Sequence, residues 1–217
     1  MTSTSASGDA SRRWGEESAL FDDDEARRRL LEATGRCIVR RGSVQIQMAD
    51  VAAEAGVSRS TVYRYYSSRN DLVLELVMTR TDAALARIVA ALASSDDARL
   101  TLPELILAPL RLVDGNPLNE ALFSAESRSL MVNSLGLESE RPVDAAYKYF
   151  GPMFERWQAD GQIHADLDLR ETVRWLNAVS LLLLTPPWSQ MTSDERAEFI
   201  ERYFVRAIVV SATHPPR

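Results

Sequence analysis

The residues with usable chemistry in this chain gather in one stretch, MADVAAEAGVSRSTVYRYYSSRNDL, residues 48–72. Arg59, Arg64 and Arg69 alternate there with Tyr63, Tyr65 and Tyr66 and with the hydroxyls of Ser58, Ser60 and Thr61. A guanidinium donates in a fixed fork that fits phosphate oxygens or the O6 and N7 of guanine, and phenols and hydroxyls bond to phosphates and sugars. The chemistry on offer is recognition of anions and bases. Between positions 36 and 69, six arginines (Arg36, Arg40, Arg41, Arg59, Arg64 and Arg69) face two acids, Asp50 and Glu54, a local excess of four positive charges in a chain of net charge -6. Such a local reversal is what a phosphate-binding surface needs.

Bond-making chemistry finds little support. The only histidines are His164, in a polar stretch, and His214, near the end, so neither a metal site nor a histidine base has a cluster to work in. No glycine-rich phosphate loop, G-x-S-x-G elbow or paired-cysteine site occurs. The lone cysteine, Cys37, has no partner for an intrachain disulfide and falls on the inward face of a helix, as a small core residue. No enzyme, metal or cofactor is expected. The longest apolar stretch, AVSLLLLTPPW at 178–188, is shorter than the roughly 18 residues of a membrane span and is cut by Pro186 and Pro187. No membrane partner is expected, and with no apolar leader segment a cytoplasmic location follows.

The elements that must position these residues all read as helix. With 46% hydrophobic residues over 217 positions, the chain can bury a real core. Residues 1–21, rich in Ser, Thr, Gly and Ala, predict a flexible arm whose RRW at 12–14 could touch a minor groove. A first helix opens on Asp22 with Glu25, carries Leu30, Leu31, Ala33, Thr34, Cys37 and Ile38 at helical spacing, and stops at Gly42. Short helices follow over about 48–55 and 59–65. Between them Gly56 suits a left-handed turn, Val57 can plug the core, and Ser58 can cap. Helix, glycine turn, helix is a helix-turn-helix. With Val62 and Tyr66 inward, Arg59 stacks over Tyr63 and Ser60 over Arg64 on the outer face. Ser68 with Asp71 opens a long fourth helix running to about Ala93.

Helix 1, the AGVS turn and the run DVAAEAGVSRSTVYRYYSSRNDL together resemble the N-terminal domain of the tetracycline-repressor (TetR) family over about residues 24–75. The segment DGQIHADLDLRETVRWL at 160–176 is a weaker match to the entry into the family's penultimate helix. The resemblance implies an all-α fold: a helix-turn-helix DNA-binding domain over 22–70 and a helical effector-binding and dimerisation domain over 71–217. It implies that Arg59, Ser60, Thr61 and Arg64 meet the major groove, with Arg59 and Arg64 reading guanine, and that Tyr63 and Tyr65 reach phosphates or sugars. Arg69, where lysine is common, would hold a phosphate at the N-terminus of the fourth helix. Gln47 stands where the family usually places a capping, phosphate-touching threonine.

Beyond residue 100, prolines punctuate the helical pattern. Pro117 and Pro142 sit near helix starts, whereas Pro109 and Pro152 interrupt apolar periods and should kink or end their helices. Leu105, Leu110, Phe123, Met131 and Tyr147 are the first candidates for lining an effector cavity. Phe150, Phe154, Trp157, Trp175 and Val179 complete that lining, suited to a small apolar effector. The last helices, about 168–185 and 193–211, carry two apolar stripes each. Leu176, Ser180 and Leu183 with Ile200, Phe204 and Ile208 are the candidates for a homodimer interface. The function expected is a ligand-responsive repressor that binds a palindromic DNA operator as a homodimer and is released by its effector. The rival reading is a helical interaction protein whose helix-turn-helix no longer reads DNA; Gln47 favours it, and Arg59, Tyr63, Arg64 and Arg69 oppose it.

Overall fold

The computed structural model describes residues 23–111, 115–124, 127 and 140–210. These are helical throughout, apart from connections and one isolated antiparallel bridge between Ile163 and Val209. In order they form α1 (Asp23–Arg41), α2 (Met48–Ala55), α3 (Arg59–Tyr65), α4 (Arg69–Leu92), α5 (Ala98–Arg111), α6 (Pro117–Leu122), α7 (Glu140–Ala159), α8 (Leu169–Leu183) and α9 (Ser193–Ile200). A 3-10 turn, Trp188–Gln190, precedes α9, and a π turn, Glu201–Val205, carries it into Arg206–Ile208. No helix among the described residues is long and apolar enough to cross a membrane. The arm and Asp22 lie outside the described residues.

The chain divides into two compact units, and the division is not a single cut. The first holds residues up to Met78 together with Pro117–Met131; the second holds Thr79–Asn116 and Val132 onward. The expected boundary at residue 70 is therefore corrected twice. The start of α4 belongs with the first unit because Leu72, Val73, Leu76 and Val77 are buried there. The short α6 returns to that unit too: Leu118 lies against α1 at Gly35, where an added Cβ would stand 3.2 Å from Leu118 Cδ2.

Local signals explain the first unit. Leu30, Ala33, Cys37 and Ile38 line the inward face of α1, and Gly42 ends it at φ 68°. Ser68 Oγ accepts from the Asp71 N–H at 3.1 Å and donates to the Asp71 carboxylate at 2.9 Å, so α4 opens on a hydroxyl-carboxylate cap. The hydroxyls of Ser67 and Ser68 hold the Asp71 carboxyl below its ordinary range.

The second unit is built around Phe154 and Trp157, whose rings meet edge to face at 5.1 Å. Leu102, Leu105 and Ile106 from α5, Val173, Leu176 and Val179 from α8, and Ile200 and Phe204 at the end of the chain close over them. Asp168 Oδ1 accepts from the Glu171 N–H at 2.9 Å to cap α8, and Thr192 with Glu195 forms the capping box of α9. Gln162 fastens the opening of α5: its Oε1 accepts from the Ala98 N–H and its Nε2 donates to Asp96 O, each at 2.8 Å. Pro109 falls just before α5 ends, but α7 continues through Pro152 to Ala159, so that proline does not stop its helix.

The expected dimer stripe is corrected here. Leu176, Leu183, Ile200, Phe204 and Ile208 are buried in the protomer's own core, and the Ser180 hydroxyl bonds back to Leu176 O at 3.0 Å. The exposed large apolar side chains of this region are instead Trp175 at 57%, Leu181 at 45% and Tyr203 at 54%, and Val179, one turn from Trp175, is buried. Periodicity identifies two apolar stripes on such helices without telling which one the protomer itself buries.

Gly56 adopts φ 71°, ψ 30°, a left-handed conformation at the tight turn between α2 and α3. Gly56→Ala adds a Cβ that meets nothing in space but strains this backbone, a loss of about 1–2 kcal/mol. Urea unfolding followed by circular dichroism checks this, with the loss expected in the transition of the first unit.

Candidate nucleic-acid interface

The surface is built on the turn. The Gly56 N–H bonds to Ala53 O and the Val57 N–H to Ala52 O at 3.0 Å, which ends α2 and turns the chain. Ser58 then caps α3, its Oγ accepting from the Thr61 N–H at 3.1 Å. Val62 and Tyr66 point inward, as their spacing predicts, and the α3 face opposite them is open. Burial also pushes the Tyr66 phenol above its ordinary range.

On that open face the arginines lean on tyrosines. Arg59 Nη2 donates to Tyr63 Oη at 3.2 Å, with its guanidinium 5.4 Å from the Tyr63 ring centre. Arg64 Nη2 donates to Tyr65 Oη at 3.0 Å, with its guanidinium 4.9 Å from that ring. Arg69, the first residue of α4, donates to Gln45 Oε1 and to Asn70 Oδ1. None of the three forms an ion pair among the described residues, so each keeps its charge uncompensated. Arg36 and Arg40 differ: both bind Glu54, at 2.6 and 2.7 Å, and they hold that carboxyl below its usual range. Among the described residues, the uncompensated arginines between 36 and 69 are thus those of α3, the start of α4 and Arg41 at the end of α1.

The hydroxyls expected in the groove have structural duties. Ser60 Oγ and Thr61 Oγ1 each lie 2.8 Å from Ser58 Oγ, forming a small cluster at the cap. Gln47 precedes α2 in extended backbone, and its N–H donates to Asp50 Oδ2 at 3.3 Å. The sequence reading missed the contribution of α1. Tyr65 Oη donates to Asp23 Oδ1 at 3.1 Å, and the Arg27 guanidinium sits 5.6 Å from the Tyr65 ring and 5.8 Å from that of Tyr66. No local pattern links residues 23 and 65; only the inward Val62 and Tyr66, which draw α3 against α1, hint at it.

The expected effector lining divides. Leu105, Leu110, Phe150, Phe154, Trp157 and Val179 gather in the core of the second unit, with Tyr147 at its margin. Phe123 falls in the first unit, Trp175 faces outward, and Met131 lies outside the described residues. The Tyr147 ring lies over Gly151, where a Cβ would meet Cε1 at 3.0 Å, and its hydroxyl donates to Glu155 Oε1 at 3.2 Å. Arg174 is taken up by Glu140 and Glu171. Among the described residues of this unit, Trp157 Nε1 and Arg196 Nε are buried without a hydrogen-bond partner, and Trp157 is the one in the apolar core.

Comparison with known proteins now bears on this surface. Residues 30–76 match the family model described as bacterial regulatory proteins, tetR family. An HTH-type transcriptional regulator of Mycobacterium tuberculosis (strain ATCC 25618 / H37Rv) is 33% identical over 189 residues, covering 87% of this chain and 88% of that protein. The HTH-type transcriptional repressor KstR2 of Rhodococcus jostii (strain RHA1) is 24% identical over 151 residues, 69% of this chain and 74% of that protein. Among solved structures, the transcriptional regulator FadR from Bacillus subtilis in complex with stearoyl-CoA shares the fold. Its TM-score is 0.55 at 16% identity, over 82% of this chain and 95% of that one.

The two uncompensated arginines at either end of the surface predict different losses. Arg69→Ala removes one phosphate partner, so it weakens all duplex sequences alike and lowers the salt slope of binding by about one. Arg64→Ala costs about 1–3 kcal/mol on the preferred sequence only and relaxes preference at one base pair. Fluorescence anisotropy on specific and random duplexes at several salt concentrations separates the two.

Proposed function

The chain belongs to the tetracycline-repressor (TetR) family of bacterial regulatory proteins, and from that premise we propose that this transcriptional regulator is a cytoplasmic, effector-released repressor that binds a palindromic operator as a homodimer. The observation that carries the reading is the α3 surface: Arg59, Tyr63 and Arg64 stand open on a capped helix, with no ion pair to an acid among the described residues. A guanidinium left unpaired in the free protein is available to a phosphate or a guanine edge without first breaking an ion pair. Repression is the mode named for the relative from Rhodococcus jostii.

Dimerisation is supported by the exposed apolar side chains of Trp175, Leu181 and Tyr203. An exposed indole and leucine on one helix are a liability unless a partner covers them. A second copy covering them by a two-fold axis would set two α3 helices on successive major grooves, about 34–36 Å apart. An apolar effector is supported by the aromatic core of the second unit and by the acyl chain named for the ligand of the Bacillus subtilis neighbour. Trp157 Nε1 is the donor such a ligand would find there. α4 runs through both units, so a ligand that binds one arrangement of the second unit better than another has a continuous helix through which to act.

Sequencing of genomic fragments retained by the purified protein at physiological salt tests the reading directly. Enrichment of one or a few palindromic sites is expected; retention without sequence preference would instead support the interaction-protein reading. The dimer has its own check. Trp175→Glu places a charge on the proposed interface, and sedimentation should find a monomer whose operator affinity is at least about tenfold weaker, since each half-site must then be bound alone.

A further inference from the structure

The contact between α1 and α3 has a use beyond packing. Asp23, Tyr65 and Arg64 form a chain of hydrogen bonds: Arg64 Nη2 donates to Tyr65 Oη at 3.0 Å, and Tyr65 Oη donates to Asp23 Oδ1 at 3.1 Å. The chain crosses 42 residues of sequence to end on one of the arginines that faces outward from α3. We propose that Asp23 is a positioning residue for sequence readout: through Tyr65 it fixes the direction in which the Arg64 guanidinium meets the bases. The inference rests on the DNA-reading role assigned above to α3.

Three features of the site argue for this. Arginine carries a large rotamer entropy, and a base contact gains specificity only when the fork arrives already oriented. Residues 64 and 65 are neighbours in a helix, roughly 100° apart around its axis, so Arg64 touches Tyr65 only by folding sideways across the helix. A phenol that donates to a carboxylate becomes a stronger acceptor for the guanidinium behind it, because hydrogen bonds in series polarise one another. The ring is held from the far side as well, by the Arg27 guanidinium at 5.6 Å. Two cations on one phenol would repel without the Asp23 charge beside them.

An acid in the first turn of α1 would be explained by the helix dipole alone, and Asp24 and Glu25 share that setting. Only Asp23 reaches Tyr65. Its place also carries a penalty for the proposed function, since a carboxylate beside a DNA-facing surface repels phosphate. Helix stability accounts for an acid in that turn but not for its hydrogen bond to Tyr65.

The penalty supplies the test, because loss of charge and loss of positioning act in opposite directions on binding. The full-length protein and its Asp23→Asn, Asp24→Asn, Tyr65→Phe, Arg64→Ala and Asp23→Asn/Arg64→Ala variants are each used to select from a random duplex pool. Affinity for a fixed random duplex is measured alongside. Asp23→Asn and Tyr65→Phe are expected to lower preference at the base pair read by Arg64 by about tenfold, approaching Arg64→Ala. Asp23→Asn and Asp24→Asn should both raise affinity for the random duplex a few-fold, yet Asp24→Asn should keep its preference. The double variant should lose no more preference than Arg64→Ala alone. The proposal is overturned if Asp23→Asn keeps full preference, if Asp24→Asn loses as much, or if the double loss is additive. A wild-type protein that selects no sequence removes the base-reading role of α3 and the proposal with it.

Discussion

Seven residues cannot hold a helix in water by themselves, since nucleation fixes several residues for one hydrogen bond and short helices in isolation are marginal. α3 is that short, and α2 is only one residue longer. Their stability comes from outside the helical hydrogen bonds: the left-handed Gly56, the Ser58 cap, and the burial of Val51, Val62 and Tyr66. The whole outward surface inherits its geometry from these few groups. Ser60 and Thr61 fit this view, because hydroxyls clustered on Ser58 strengthen the point from which α3 starts. A hydroxyl that seemed destined for DNA by type alone is engaged in holding the helix that presents the arginines.

Charge follows the same economy of position. The six arginines between 36 and 69 are not equivalent: Glu54 takes two of them, and both lie on α1. Among the described residues, what remains uncompensated lies on α3, at the N-terminus of α4 and at Arg41, the last residue of α1. Arg69 is the first residue of α4, so its side-chain charge and the positive end of the helix dipole act on the same side. An exposed pair such as Arg36 with Glu54 contributes little to stability. Its effect is to confine the positive potential to the face that α3 presents.

Much of this was legible in the sequence, and the reason is locality. Gly56, Ser58 and the pairing of Ser68 with Asp71 are signals read within a few residues: α2 ends at Gly56, α3 begins after Ser58 and α4 after Ser68. Contacts between distant segments left no such mark. The pairing of Asp23 with Tyr65, the return of Pro117–Leu122 to the first unit, and the sharing of Glu54 by Arg36 and Arg40 are products of packing. The dimer stripe is the instructive miss. Leu176 and Trp175 are adjacent, and both lie on apolar rows; Trp175 stays largely exposed with its ring centre 5.1 Å from that of Phe204, while Leu176 is buried. Aromatic type suggested burial for the wrong neighbour.

The second unit presents the converse problem: among its described residues two buried polar atoms, Trp157 Nε1 and Arg196 Nε, have no hydrogen-bond partner. Tyr147 bonds to Glu155, Arg174 to Glu140 and Glu171, and Ser180 to its own helix. Trp157, fully buried and in edge contact with Phe154, leaves its Nε1 without a partner. A buried donor of this kind costs about 1–3 kcal/mol, and phenylalanine would fill much of the same space without it.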